Sequence, residues 1–314
     1  MSIRYSVVVP VFNEELVVAE SYKRLTKVME STGESYELIF VNDGSRDKTE
    51  AMVTEICEHD KRVKLLNFSR NFGHQTAITA GMDHASGQAV VVIDADLQDP
   101  PEVILEMIAK WKEGYDVVYG QRISRKGESF FKKFTAKAFY RLLRSLTNVD
   151  IPVDTGDFRL IDRKVCDVLS GLTEKNRYVR GLVSWSGFRQ TAVRFHREER
   201  FAGETKYPLK KMLKFAIDGI TTFSYKPLKL ATYLGFFISF LSFLYLLVVL
   251  YLKLFTDRAV SGWASTLSVS LIFNGVVLIM LGIIGEYIGR IYDETKNRPL
   301  YIIQEKIGFD DEEK

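Results

Sequence analysis

The sequence predicts an α/β domain on a Rossmann-like, mostly parallel sheet, followed by an amphipathic helix at the membrane interface and two transmembrane helices. Three observations carry this reading: short β-branched runs alternate with helix-length segments, polar residues collect where those runs end, and two late stretches carry no charge. Strands separated by helical segments imply βαβ units covered on both faces. With 314 residues, the chain is about twice the ~150 of a common single domain, which leaves room for a domain and an appendage.

The runs span 5–10, 37–41, 63–68, 89–94 and 116–120. Asn13 and Glu14 follow the first, Asn42, Asp43 and Gly44 the second, and Asp94 and Asp96 close the fourth. In an open α/β sheet the carboxyl ends of the strands form the ligand crevice, so a nucleotide-type site is expected there. From about 129 to 146 the periodicity turns helical, and a polar loop with Pro152, Asp154, Thr155, Gly156 and Asp157 follows. Leu209, Met212, Leu213, Ala216, Ile220 and Phe223 then recur at helical spacing with Lys210, Lys211 and Lys214 off the stripe. Such a basic amphipathic segment suits the lipid headgroup interface.

Stretches 230–252 and 259–285 contain no Asp, Glu, Lys or Arg, and each exceeds the ~20 residues that cross a bilayer. Arg200, Lys206, Lys210, Lys211, Lys214, Lys226 and Lys229 crowd before the first, whereas the connecting loop offers only Lys253 and Arg258 beside Asp257. By the positive-inside rule, the N-terminal domain and the C-terminal tail both face the cytoplasm, on the plasma (inner) membrane. The expected division is a domain at 1–206, a juxtamembrane helix at 207–227, a hairpin at 228–290 with spans near 230–252 and 263–285, and a tail at 291–314. In the second span Gly275, Gly282 and Gly289 recur with Gly285 nearby. That bare face can approach another helix closely, within the hairpin or in a homo-oligomer.

A net charge of +3, from 43 basic against 40 acidic residues, is too small to argue for nucleic acid. Cys57 and Cys166 are too few for a disulfide framework and lack metal-ligand spacing. No Gly-x-Gly-x-x-Gly follows a strand, which disfavours a dinucleotide oxidoreductase. The segment Asp94-Ala95-Asp96-Leu97-Gln98-Asp99-Pro100-Pro101 points elsewhere. Carboxylates two apart at a strand end repel unless a cation lies between them, and Mg²⁺ or Mn²⁺ can bridge such a pair to substrate phosphates. Asp99 reads as the cap of a helix opening at Pro100.

Four motifs in order complete the pattern: 7–14 (Val-Val-Val-Pro-Val-Phe-Asn-Glu), 41–45 (Val-Asn-Asp-Gly-Ser), Asp94-Ala95-Asp96, and 154–160 (Asp-Thr-Gly-Asp-Phe-Arg-Leu). With the two spans, the chain resembles the inverting family 2 glycosyltransferases of GT-A fold. Within them it resembles the polyprenyl-phosphate glycosyltransferases, among them bactoprenol glucosyltransferases and dolichol-phosphate mannosyltransferase. The resemblance implies that Pro10, Phe12, Glu14 and Asp43, with Asp94, hold the nucleotide sugar. It implies that Asp94 and Asp96, with Gln98, hold Mg²⁺ or Mn²⁺ and the diphosphate. Asp157 becomes the catalytic base or an orienting group. For the acceptor phosphate it leaves Arg122, Arg125, Lys126, Arg159, Arg200 and Lys206, since guanidinium forks clamp phosphate well. His74 reads as a structural histidine.

The implied reaction moves one sugar from a nucleotide donor to undecaprenyl phosphate at the cytoplasmic face, with inversion at the anomeric carbon. UDP-glucose is the expected donor, with UDP-N-acetylglucosamine and GDP-mannose as alternatives. A flippase and a downstream glycosyltransferase are the expected partners for the lipid product. A processive polysaccharide synthase is disfavoured, because no Gln-x-x-Arg-Trp motif occurs. A membrane-tethered nucleotide-sugar sensor is the reading from another class, and the intact Asp94/Asp96 pair argues against it.

The topology is testable by impermeant thiol labelling of intact cells. A cysteine introduced near Gly262 should react from outside, and cysteines near Gly308 or in the first domain should not. Labelling near Gly308 from outside would contradict the hairpin.

Overall fold

The apolar runs become the central strands of one eight-stranded sheet. The computed structural model describes residues 3–123, 155–198, 226–255 and 262–309. The helix expected at 129–146 and the amphipathic segment at 209–223 lie outside them. The chain divides into a sheet-bearing unit and a second unit that holds two long helices.

The strands are β1 (Tyr5–Val11), β2 (Tyr36–Asn42), β3 (Val63–Phe68), β4 (Ala89–Val92), β5 (Val117–Arg122), β6 (Thr155–Asp162), β7 (Gln190–Phe195) and β8 (Ile303–Ile307). Their order across the sheet is β7-β5-β6-β4-β1-β2-β3-β8. β4, β1, β2 and β3 run parallel, β7 is parallel to β5, and β6 and β8 run antiparallel to their neighbours. Every residue of β1 and β2 is buried, which is why they read as near-continuous apolar runs without alternation.

Helices α1 (Val18–Glu30), α2 (Thr49–His59), α3 (His74–His84), α4 (Val103–Lys112), α5 (Arg163–Ser170) and α6 (Val179–Trp185) belong to this unit. α1 buries Val18, Ser21, Leu25, Val28 and Met29, the three-and-four spacing of a single helix face. α4 opens at Val103, with Glu102 at its N-cap, so Asp99 does not cap it. Between β5 and β6 the register shifts around Gly120. A Cβ there would lie 2.7 Å from the Phe195 ring and 3.1 Å from that of Phe158, so only glycine leaves room for this aromatic pair.

One detail of register shapes the crevice. β6 is antiparallel to β4, and its last pairing at that end sets Val92 opposite Arg159. Continued by two residues, the same register sets Asp94 opposite Asp157. The first residues of β6 therefore lie where the parallel strands finish, at the expected ligand site.

The stretch after the second long helix, expected as a tail, returns to the sheet edge as β8. Tyr301 stacks on Phe68, with ring centroids 5.4 Å apart, and its hydroxyl donates to Asp83 at 3.1 Å. β8 covers the otherwise open backbone of β3. Near the starts of the strands, buried Glu37 of β2 accepts from the hydroxyl of Ser6 in β1 at 2.5 Å and pairs with Lys64 of β3 at 2.7 Å.

The second unit contains α7 (Lys226–Phe255) and α8 (Trp263–Thr295). Within them, Ala231–Val249 and Thr266–Thr295 are long and apolar enough to cross a membrane. Gly275, Gly282, Gly285 and Gly289 have no described neighbour within 4 Å of where a Cβ would stand. A Cβ at Gly235 would instead lie 3.8 Å from Met280 Cε.

Candidate active site

The continued register places two carboxylates face to face, and such groups repel unless cations or donors intervene. The N-terminus of α3 supplies them. His74 Nε2 lies 3.4 Å from Asp94 Oδ1 and 3.3 Å from Asp157 Oδ2. The next residue, Gln75, donates its amide to Asp157 Oδ2 at 2.9 Å. From α6, Arg180 Nε lies 3.3 Å from Asp157 Oδ1, and its guanidinium donates to the Thr155 carbonyl at 2.7 Å.

The electrostatic consequences differ for the three titratable groups. Burial alone would lower the His74 pKa, but Asp94 and Asp157 outweigh it and raise it to about 9. Burial also works against the Asp157 carboxylate, yet Arg180 and His74 hold its pKa well below the usual range. Asp94 goes the other way. Burial, reinforced by Asp157, Asp96 and Asp99 and opposed by His74, pushes it up to about 6. Its Oδ1 and the Oδ1 of Asp157 are both buried and meet their cations, His74 and Arg180, as ion pairs without a hydrogen bond. Asp157, held by Gln75, His74 and Arg180, is therefore the better-balanced anion, and the charge of Asp94 is the more costly one.

That cost is what a divalent cation would relieve. Among the described residues, no three His, Cys, Asp or Glu side chains gather to hold an ion by themselves. Asp94 and buried Asp96 fit a hard cation that takes its remaining ligands from substrate phosphates and water. Gln98 has other partners. Its side-chain oxygen accepts from Arg197 at 2.6 Å, and its backbone nitrogen donates to Asp96 at 3.1 Å. The side chain expected as a metal ligand thus braces Arg197 in this structure.

Two further expectations change. Asp99, expected as a helix cap, is buried and forms a two-pronged pair with Arg122, at 3.2 Å to Nε and 2.9 Å to Nη2. Arg122, expected as a phosphate clamp, thus ends β5 as the counterion of a buried carboxylate. Arg159 is also buried, and its guanidinium donates to the carbonyls of Gly156 and Asp157. Burial, only partly offset by Asp157, lowers its pKa to about 10. It shapes the turn that presents Asp157 and does not reach out for an acceptor. Arg125, Lys126, Arg200 and Lys206 lie outside the described residues.

The other candidates ring the strand ends. Pro10 is buried opposite Val41 in β1, and Phe12 and Glu14 follow at its carboxyl end. The Glu14 backbone nitrogen donates to the Thr49 hydroxyl at 2.8 Å, and Asn13, at a φ of 54°, accepts from the Arg46 nitrogen at 2.8 Å. Asp43 is buried, and its carboxylate accepts from the backbone nitrogens of Phe72 and Gly73 at 2.6 and 3.0 Å. Burial raises its pKa despite those bonds. Gly44 beside it has a φ of +67°, and a Cβ there would lie 2.7 Å from the Arg70–Asn71 backbone. The turn therefore brings Asp43 onto the loop that leads into α3. His74, Gln75 and Arg180 are the site residues that sequence reasoning missed; only the position of His74 just after Gly73, opening a helix, was a signal.

The mostly parallel α/β sheet with acidic residues gathered at its strand ends, here followed by two apolar helices, is the architecture of a GT-A glycosyltransferase domain, to which the family match assigns it. Residues 6–169 match the family described as Glycosyl transferase family 2, and residues 226–291 match the GtrB C-terminal hairpin. The chain belongs to glycosyltransferase family 2. It is 66% identical to the glycosyltransferase YkcC of Bacillus subtilis (strain 168), over 98% of this chain and 95% of that one. It is 43% identical to the SfII prophage-derived bactoprenol glucosyl transferase of Shigella flexneri, over 96% of this chain and 97% of that one. Among solved structures, the mannosyltransferase PcManGT from Pyrobaculum calidifontis aligns with a TM-score of 0.44 at 20% identity, covering 62% of this chain and 55% of that one.

Asp96→Asn tests the acidic pair, because it removes charge with little change of shape. Transfer should fall by ~10²-fold or more while membrane insertion and expression stay normal. Near-normal turnover at saturating Mg²⁺ or Mn²⁺ would remove Asp96 from the site.

Proposed function

We propose that the protein transfers a single sugar from a nucleotide donor, UDP-glucose first among them, to polyprenyl phosphate of the undecaprenyl type. One observation carries the reading: the acidic crevice and the GtrB-type hairpin occur in one chain, which is 43% identical over 96% of its length to a bactoprenol glucosyl transferase. An enzyme whose acceptor is a lipid needs its crevice held at the membrane. The return of the chain to the sheet edge as β8 supports a hairpin with both ends on one face. We place that face in the cytoplasm, from the basic residues before the first span.

The residues divide the work. Pro10, Phe12, Glu14 and Asp43 border the pocket for base and ribose. Asp94 and Asp96 hold Mg²⁺ or Mn²⁺, which would neutralise the diphosphate as it leaves. An acceptor phosphate oxygen attacks the anomeric carbon as the bond to the diphosphate breaks on the opposite face, which inverts the centre. A phosphate monoester has a second pKa of about 6, so this nucleophile is already an anion at neutral pH. A carboxylate held far below the usual range is also a weak base. Asp157 therefore orients the reacting groups and does not remove a proton. Arg125, Arg200 and Lys206 remain the cations proposed for the acceptor phosphate, with Arg122 and Arg159 engaged elsewhere.

The reading is tested by incubating purified protein and undecaprenyl phosphate with a panel of labelled nucleotide sugars and weighing the lipid product. The expected product is a polyprenyl monophosphate carrying one hexose. A polymer, or nucleotide-sugar binding without any lipid product, would overturn it.

A further inference from the structure

The amide of Gln75 has both ends committed, and its orientation is therefore fixed. Its Oε1 accepts from the backbone nitrogen of Val179, the first residue of α6, at 2.9 Å. A backbone N–H can only donate, so the oxygen must face Val179 and the Nε2 must face Asp157, where the distance to Oδ2 is 2.9 Å. One side chain thus joins the second residue of α3 to the start of α6 and to the carboxylate at the start of β6. The next residue of α6 after Val179 is Arg180, the cation on the other oxygen of Asp157.

We propose that Gln75 is the positioning residue of the transfer reaction: it fixes the rotamer of Asp157 and, through Val179, places Arg180 against the second carboxylate oxygen. The assignment rests on the reading that Asp157 lies at the reacting centre. His74 and Arg180 approach Asp157 at 3.3 Å each, whereas the Gln75 bond, at 2.9 Å, is the shorter and the one anchored at its other end to α6. Gln75 is uncharged, so its part is the same at every pH near neutrality. Without it, the carboxylate keeps its countercharges and loses the shortest of these three contacts, the one that ties its angle to α6.

Two substitutions separate positioning from mere structural support. Gln75→Glu keeps an acceptor for the Val179 nitrogen but sets a second carboxylate against Asp157. Gln75→Met preserves length and loses both bonds. With full-length protein, undecaprenyl phosphate and whichever nucleotide sugar of the panel gives product, Gln75→Glu should lower kcat by about 10- to 100-fold. The donor KM should change by less than about threefold, and the melting temperature should stay closer to wild type than that of Gln75→Met. In an Asp157→Asn background, Gln75→Glu should add no further loss, because it acts through Asp157. Full activity of Gln75→Glu beside an inactive Asp157→Asn overturns the positioning role alone. Losses that multiply in the double variant, or that follow melting temperature across the series, also overturn it. An Asp157→Asn enzyme as active as wild type overturns instead the placement of Asp157 at the reacting centre.

Discussion

A strand register that sets two carboxylates opposite each other is the constraint on which the site depends. β4 and β6 pair antiparallel up to Val92 and Arg159, and just beyond that point Asp94 and Asp157 share His74. Like charges at such a place raise the cost of folding unless they are shared among cations and donors. The chain meets this cost unevenly. Asp157 receives Gln75, His74 and Arg180, whereas among the described residues the ion pair of Asp94 is with a His74 that Asp157 shares. The imbalance leaves one carboxylate settled and the other in need of a cation, a division of roles that a symmetric arrangement would not give.

A second tier of pairs keeps the surroundings of that imbalance rigid. Arg122 settles buried Asp99, and Arg197 holds the side chain of Gln98 while the backbone of Glu198 donates to the Gln98 carbonyl. The loop that carries Asp94 and Asp96 is thereby fastened to the ends of β5 and β7. Arg159, buried beneath, holds the carbonyls of the turn that presents Asp157. Three arginines near the crevice thus serve its shape, a use that composition cannot distinguish from phosphate binding.

The strands β1 to β5 were legible to within about two residues, because strands buried on both faces read as apolar runs. β6 was not, since Asp157 and Arg159 interrupt its pattern, and β7 mixes Gln190, Thr191 and Arg194 with its apolar residues. β8 exposes Gln304, Glu305 and Lys306 on a sheet edge, and so reads as tail. Asp94, Asp96 and Asp157 were visible as motifs. Gln75 and Arg180 were not, because their meaning lies in contacts with Asp157 from distant parts of the chain. The pairing of Asp99 with Arg122 was hidden for another reason: an aspartate before two prolines has a good local explanation as a cap, and tertiary burial overrode it.

The central claim is that the protein supplies only part of a cation site, two carboxylates, and that the nucleotide completes it. The most direct measurement is the free Mn²⁺ signal by electron paramagnetic resonance, titrating the full-length protein with and without UDP. Weak binding of Mn²⁺ alone that tightens at least tenfold with UDP, and is lost in Asp94→Asn, is the result the account predicts. Equally tight binding in the absence of UDP would contradict it, because a complete protein-borne metal site would then exist.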